Sequence, residues 1–364
     1  MQAPAEANKG WDSGRMRKTL LLVFLILILA LTIIIATVKG TVTIPWKSVP
    51  AILLSPVPVL NQLFEHIETS EINKDILLYI RLPRVILAAV VGACLSAAGA
   101  VFQGIFRNPM ADPYVLGVSS GAALGAILAI LTGVNLFFSG FTAVTLFAFA
   151  GGILSITLVY YMAKVGKAVP VMTLLLAGIA VSAFLSALVS LLTYFSGDKL
   201  HEVVFWMMGG LSGASWAQLL TMLPYVLIGY SCIHYYAREL NILLLGEETA
   251  QQLGVETDRV KKILMAGASL LVAAAVSTSG IIGFLGLIVP HFIRLAAGPD
   301  HRFLLPSSAL LGASILIAAD TLARTIISPT ELPVGIITAL AGAPVFIYLL
   351  KKRKKLRYFN SSEG

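Results

Sequence analysis

Ten stretches of roughly twenty residues, nearly free of charge, run through this 364-residue chain and leave little room for any other plan. They lie at 20–38, 79–105, 114–133, 141–163, 170–196, 216–236, 261–278, 280–297, 304–326 and 333–350. A helix needs about 20 apolar residues to cross a bilayer, and in lipid every backbone polar group must be satisfied within the protein. Runs of this length therefore predict spanning helices. The pair covering 261–297 is almost continuous; its length forces a division, and Ser279-Gly280 is the natural break. Composition agrees, with 58% hydrophobic and only 12% charged residues, where a soluble domain carries about 25% charged. The expected fold class is an all-α polytopic membrane protein. It has one membrane-spanning domain over 20–351, an N-terminal tail at 1–19 and a basic tail at 352–364. The first run is nineteen residues long, beyond the roughly 7–15 of a signal-peptide core, and no small-residue cleavage site follows it. It reads as an uncleaved membrane helix.

Lysine and arginine choose the orientation. An even number of spans puts both termini on one side, and placing that side in the cytoplasm puts nineteen basic residues inside and seven outside. Six of the inner ones come from KKRKKLR near the C-terminus. The net charge of +8 is thus explained by membrane insertion, not by nucleic acid. Cys94 and Cys232 sit in separate apolar runs and read as free thiols in the membrane, with a disulfide as the alternative. The expected location is a cell membrane, with bilayer lipid as solvent.

Several short patterns stand out. Gly92, Ser96, Gly99 and Gln103 form one helical stripe in the second run, and Gly117, Gly121 and Gly125 another in the third. Small residues on one face let helices approach closely where lipid supplies no hydrophobic drive. Between these runs lies RNPMADPY (107–114), where Asn108-Pro109 makes a reversal and Asp112-Pro113 an N-cap and first helical residue. A plain turn would look the same. The segment 238–262 is apolar for a loop: Leu244 and Leu245 precede Gly246, Glu247 and Glu248 fill a first helical turn, and Ala250 and Leu253 share a face before Gly254. Two short helices joined at a glycine suggest a docking surface, with a helix lying on the membrane as the other reading. Arg81 and Arg84 fall on the outer side, against the usual bias, as does Arg324; headgroup anchoring is the ordinary explanation. Asp320 stands four residues before Arg324, a spacing that lets the two pair on one helix face.

The chemistry of catalysis is missing. Gly166-Lys167 lacks the rest of a phosphate loop, the histidines at 66, 201, 234, 291 and 301 have no ligand spacing, and no Gly-x-Ser-x-Gly motif occurs. No convincing midplane acid suits a proton-coupled carrier. Energy is expected to enter through the 238–262 segment.

These motifs carry a resemblance. RLPRVILAAVVGACLSAAGAVFQGIFRNPMADPYVLGVSSGAALGA (81–126), LNILLLGEETAQQLGV (240–255), GIIGFLGLIVPHFIRLAAGPDHR (280–302) and ADTLARTIISPTELPVGIITALAGAPVFIYLL (319–350) resemble the FecCD/vitamin B12-type permease family. These are the membrane subunits of ABC importers for iron–siderophore complexes, haem and cobalamin. The resemblance implies the type II importer architecture with ten helices, and a second permease subunit, identical or related. It implies two cytoplasmic ATPase subunits that use ATP and magnesium, and an extracytoplasmic substrate-binding protein. No cofactor or metal is expected on this chain. It further implies an ATPase-coupling role for Leu244, Leu245, Gly246, Glu247, Glu248, Ala250, Leu253 and Gly254. The cytoplasmic gate would be Asn108, Pro109, Met110 and Met172, and binding-protein docking would fall to Arg81, Arg84 and Arg324. The expected cargo is a ferric siderophore, with haem or cobalamin next. An ion-coupled carrier built on inverted repeats is the alternative.

Overall fold

The computed structural model describes the backbone of residues 4–42, 44–54, 69–134, 136–138, 141–166 and 168–361. In chain order the helices are α1 (Pro4–Val38), α2 (Ser48–Leu54), α3 (Glu71–Asp75), α4 (Leu82–Ile105), α5 (Val118–Thr132), α6 (Ala143–Ala163), α7 (Val171–Tyr194) and α8 (Leu200–Met208). They continue as α9 (Trp216–Tyr235), α10 (Ala237–Leu243), α11 (Glu247–Gln252), α12 (Thr257–Ser279), α13 (Leu285–Ala297), α14 (His301–Thr325) and α15 (Val334–Ser361). A two-residue antiparallel pairing, Phe137–Phe138 with Phe141–Thr142, is the strand content of the described residues. Seven helices are long and apolar enough to cross a membrane, and three shorter apolar ones lie at Val118–Thr132, Leu285–Ala297 and Val334–Leu349. Together they account for the ten apolar runs.

Helix ends differ from the sequence expectation in instructive ways. The second run is one helical stretch from Glu71 to Ile105. Its Ile76–Arg81 turns are of the wider π type, so RLPR lies inside the helix rather than ahead of it. Pro83 follows directly on that π segment, and the Leu78 carbonyl, five residues before it, accepts instead from the Trp216 indole N–H at 2.8 Å. The segments expected as tails continue α1 back to Pro4 and α15 out to Ser361. Helix α8 falls outside all ten runs, since nine residues are too few to span.

Helices α4 and α12 form the centre, α4 against α12, α13 and α14, and α12 also against α6 and α9. The small-residue stripes explain how such close packing is reached. Gly92 faces the Gly312 carbonyl of α14, with Ser96 beside it, and Gly99 faces the Gly286 carbonyl of α13. On α5, Gly121 meets Gly151 and Gly125 meets the Phe147 carbonyl, both on α6. Any side chain at these positions would enter the neighbouring backbone. Gly117 differs from the expectation: it is not part of the helix face but caps α5 in the left-handed region (φ 78°).

Helix α12 stops at Gly280 (φ 66°), and the chain stays non-helical until Leu285. The backbone freed by this break is satisfied locally. The Tyr114 hydroxyl donates to the Ile282 carbonyl at 2.8 Å, and the Ile282 N–H donates back to the Tyr114 hydroxyl oxygen at 3.3 Å. Gln103 donates to the Leu287 carbonyl at 3.0 Å, and its own oxygen accepts from Arg294 at 3.0 Å.

Candidate functional site

Three groups of residues at the two ends of the bundle carry the chemistry. Helix α12 connects the ends: its 23 residues span about 34 Å at roughly 1.5 Å per residue.

At the Thr257 end lies the segment read as a coupling loop. It forms α10 and α11, joined through Gly246, whose φ of 119° only glycine adopts readily. Leu240, Leu243 and Ala250 are buried and fix the pair to the bundle, whereas Leu245 and Leu253 are 65% and 59% exposed. Leu244 is half-buried, and Glu248 and Gly254 are exposed. Glu247 is engaged: it accepts from the buried Lys261 Nζ at 2.9 Å. The same ammonium lies 3.2 Å from Asp258 and donates to the Val169 carbonyl at 3.3 Å. One lysine thus ties α11 to α12 and to the segment that opens α7. Asn241 of α10 donates to Asp300 at 2.8 Å and its oxygen accepts from the His301 N–H at 2.8 Å. Hydrogen bonding from the Arg302 side chain, with further help from Asn241, holds the Asp300 carboxyl well below the usual carboxylate range.

Nearby is the turn read as a gate. The Ala111 N–H donates to the Asn108 carbonyl at 3.0 Å, and the Met110 N–H to the Asn108 side chain at 3.0 Å, which closes the reversal that Asn-Pro suggests. Asn108 is exposed, Pro109 and Met110 half-buried. Asp112 does cap, accepting from the Tyr114 N–H at 2.8 Å, but the capped turn is the 3-10 segment Pro113–Leu116 ahead of α5. Burial pushes its carboxyl above the usual range, opposed by that backbone N–H. Met172 is 69% exposed on the first turn of α7.

At the opposite end the arginines take an unexpected arrangement. Arg81, Arg84 and Arg324 are all buried. Arg84 forks onto Asp320, with Nε at 3.0 Å and Nη2 at 2.9 Å from one oxygen, and reaches Glu331 with Nη1 at 2.8 Å. Arg324 pairs with Asp320 at 3.1 Å, as their spacing suggests. Arg81 donates to the carbonyls of Thr37, Val38 and Val42, tying α1 to the second span. All three guanidinium groups thus have partners within the subunit. The i, i+4 pair was visible in the sequence. Arg84 and Glu331 could not be assigned to it, because nothing local links positions so far apart.

Beside this cluster is a cavity of about 570 Å³. Arg84, Thr145, Glu202, Trp206, Gln218, Thr278 and Glu331 contribute to its wall. The loop at 209–213 also lines it; this loop leaves α8 and is held by the Gly210 N–H donating to the Ser279 carbonyl at 2.8 Å. Apart from Arg84, this wall has no signature in the sequence, because α8 is too short to show one. Among the described residues no group of three or more His, Cys, Asp or Glu could hold a metal ion.

A bundle of ten apolar helical segments, with an apolar two-helix projection at one end and a mixed polar cavity at the other, defines a membrane permease. The chain belongs to the FecCD transport family, whose profile matches residues 26–352. It is 52% identical over 276 residues to the cobalamin import system permease protein BtuC of Halobacterium salinarum, covering 76% of this chain and 73% of that one. It is 39% identical over 355 residues to the hemin transport system permease protein HmuU of Yersinia pestis, covering 95% and 99%. Among solved structures, an inward-facing metal-chelate type ABC transporter superposes with a TM-score of 0.78 at 35% identity, covering 91% of this chain and 98% of that one.

Proposed function

We propose that this chain is the membrane subunit of a binding-protein-dependent ABC importer that moves a bulky metal chelate. The cargo is cobalamin first, given the 52% identity to a cobalamin permease. Haem and ferric siderophores, the latter the first expectation from sequence, are the next ligands to test. A second permease subunit would complete the pathway, and two ATPase subunits would bind and hydrolyse ATP with magnesium on the face carrying α10 and α11. That face is cytoplasmic in this reading, with both termini on it.

The observation that carries the proposal is the exposure of Leu245 and Leu253 on a helix pair anchored by buried Leu240, Leu243 and Ala250. Apolar side chains held out on a rigid base suit a partner's groove. Motion imposed there has a route inward: Glu247, Lys261 and the Val169 carbonyl connect α11 to the start of α7, where Met172 stands. The test is reconstitution in proteoliposomes with the cognate ATPase and binding protein. ATP-dependent accumulation of cobalamin is expected. Uptake that persists without nucleotide and collapses with the proton gradient would point to an ion-coupled carrier instead.

A further inference from the structure

The face carrying α10 and α11 has a second feature. A groove of about 610 Å³ opens between α1 and α13. Arg17, Lys18 and Arg294 line it together with Leu20, Leu21, Phe24 and Leu295, and among the described residues no acidic one does. Arg17 and Leu20 are exposed, as are Phe24 and Leu295, so the groove is open on the side away from the bundle. The Lys18 ammonium is directed by Asp300 at 3.8 Å and by the Phe303 ring at 5.9 Å. Arg294 is half-buried and gives one nitrogen to Gln103, which fixes its guanidinium while leaving other N–H donors.

Position adds a second argument. Arg294 stands near the end of α13 and Arg17 and Lys18 just ahead of the apolar run of α1, so the three cations gather where the apolar wall begins.

We propose that this groove binds an anionic glycerophospholipid, with its phosphate held by Arg17, Lys18 and Arg294 and an acyl chain along Leu20, Phe24 and Leu295. Charge complementarity favours the anionic headgroup: each cation near an anionic surface adds of the order of 1 kcal/mol, which is roughly five-fold in retention. The apolar wall continuing from the cations into the membrane selects a lipid over a soluble anion. The site sits on α1 and α13 and does not touch the cavity at the other end.

Purified full-length protein is reconstituted into phosphatidylcholine nanodiscs doped with phosphatidylglycerol, and retained lipid is counted by native mass spectrometry. Wild type should retain phosphatidylglycerol over phosphatidylcholine, and Arg17→Gln/Lys18→Gln should lower that preference about tenfold or more with unchanged thermal stability. Both positions lie outside the packed interior, so folding should survive. Arg294 is left intact because it also holds Gln103. A Phe24→Ser variant should shorten lipid residence while keeping the headgroup preference. Equal retention of the two lipids by wild type, or a preference unaltered in the double variant, overturns the proposal.

Discussion

Arg84 and Asp320 lie 236 positions apart in the chain and meet in a forked, buried ion pair, Nε at 3.0 Å and Nη2 at 2.9 Å from the same oxygen. Asp320 also holds Arg324, so one carboxylate serves two guanidinium groups, with Glu331 as a second acid for Arg84. Removing one member of such a buried cluster leaves a charge uncompensated, at a cost of about 3–5 kcal/mol. Asp320→Leu is therefore expected to destabilise the subunit severely in detergent unfolding. Glu331→Gln should cost about 1 kcal/mol or less, because Glu331 is partly exposed.

Arg84→Ala separates two roles for the cluster. A bracing role predicts a large loss of stability with weaker docking only as its consequence. A docking role predicts near-normal thermal stability and weakened binding-protein affinity at low salt, where exposed charge pairs are strongest.

Lys261→Met removes the link from Glu247 to Val169 but keeps a similar stem in the buried position. The expected result is ATPase activity that continues while uptake falls about tenfold or more. Glu247→Gln should show a milder form of the same defect. Uptake per ATP equal to wild type in both variants would remove the connection.

Leu245→Asp and Leu253→Asp change exposed side chains and should leave the subunit's unfolding temperature unchanged. Each is expected to weaken capture of the ATPase from detergent solution. Undiminished capture would mean that α10 and α11 rest on the membrane surface instead.

Asp300 predicts a pH effect whose sign can be worked out. Its carboxyl is held below the ordinary range by Arg302 and Asn241. The folded state therefore gains stability that is present above about pH 4 and is lost as pH falls through the depressed value. Thermal unfolding of wild type should deteriorate below about pH 4 more steeply than that of Asp300→Asn. At neutral pH the variant should be the less stable of the two.

The spans were legible because apolar runs are a local property, and Gly280 marked its own helix end. The stripes were legible for the same reason: Gly92 and Gly99 repeat at helical spacing, and both face backbone carbonyls of neighbours. What escaped was non-local or short. Helix α8 has nine residues and no spanning signature, and with it the cavity wall was missed. Lys261 was visible beside Asp258 at i+3, but nothing in the sequence pointed from it to Glu247 or Val169. The outer placement of the arginines and the Asp320–Arg324 spacing are local signals, whereas the burial of Arg81 and Arg84 depends on acids and carbonyls brought from three other parts of the chain.

The paired contact between Tyr114 and Ile282 bears on how a transporter of this design can diversify. One phenolic oxygen stands in for a missing helical turn, and Phe at that position would leave both polar groups of Ile282 unpaired at bilayer depth, where each costs several kcal/mol. The α8 side of the cavity carries no such obligation, since Glu202 and Trp206 approach it as side chains. New cargo preferences are thus expected to arise by substitution on α8, while the unwound stretch at 280–284 admits few changes across descendants that carry different chelates.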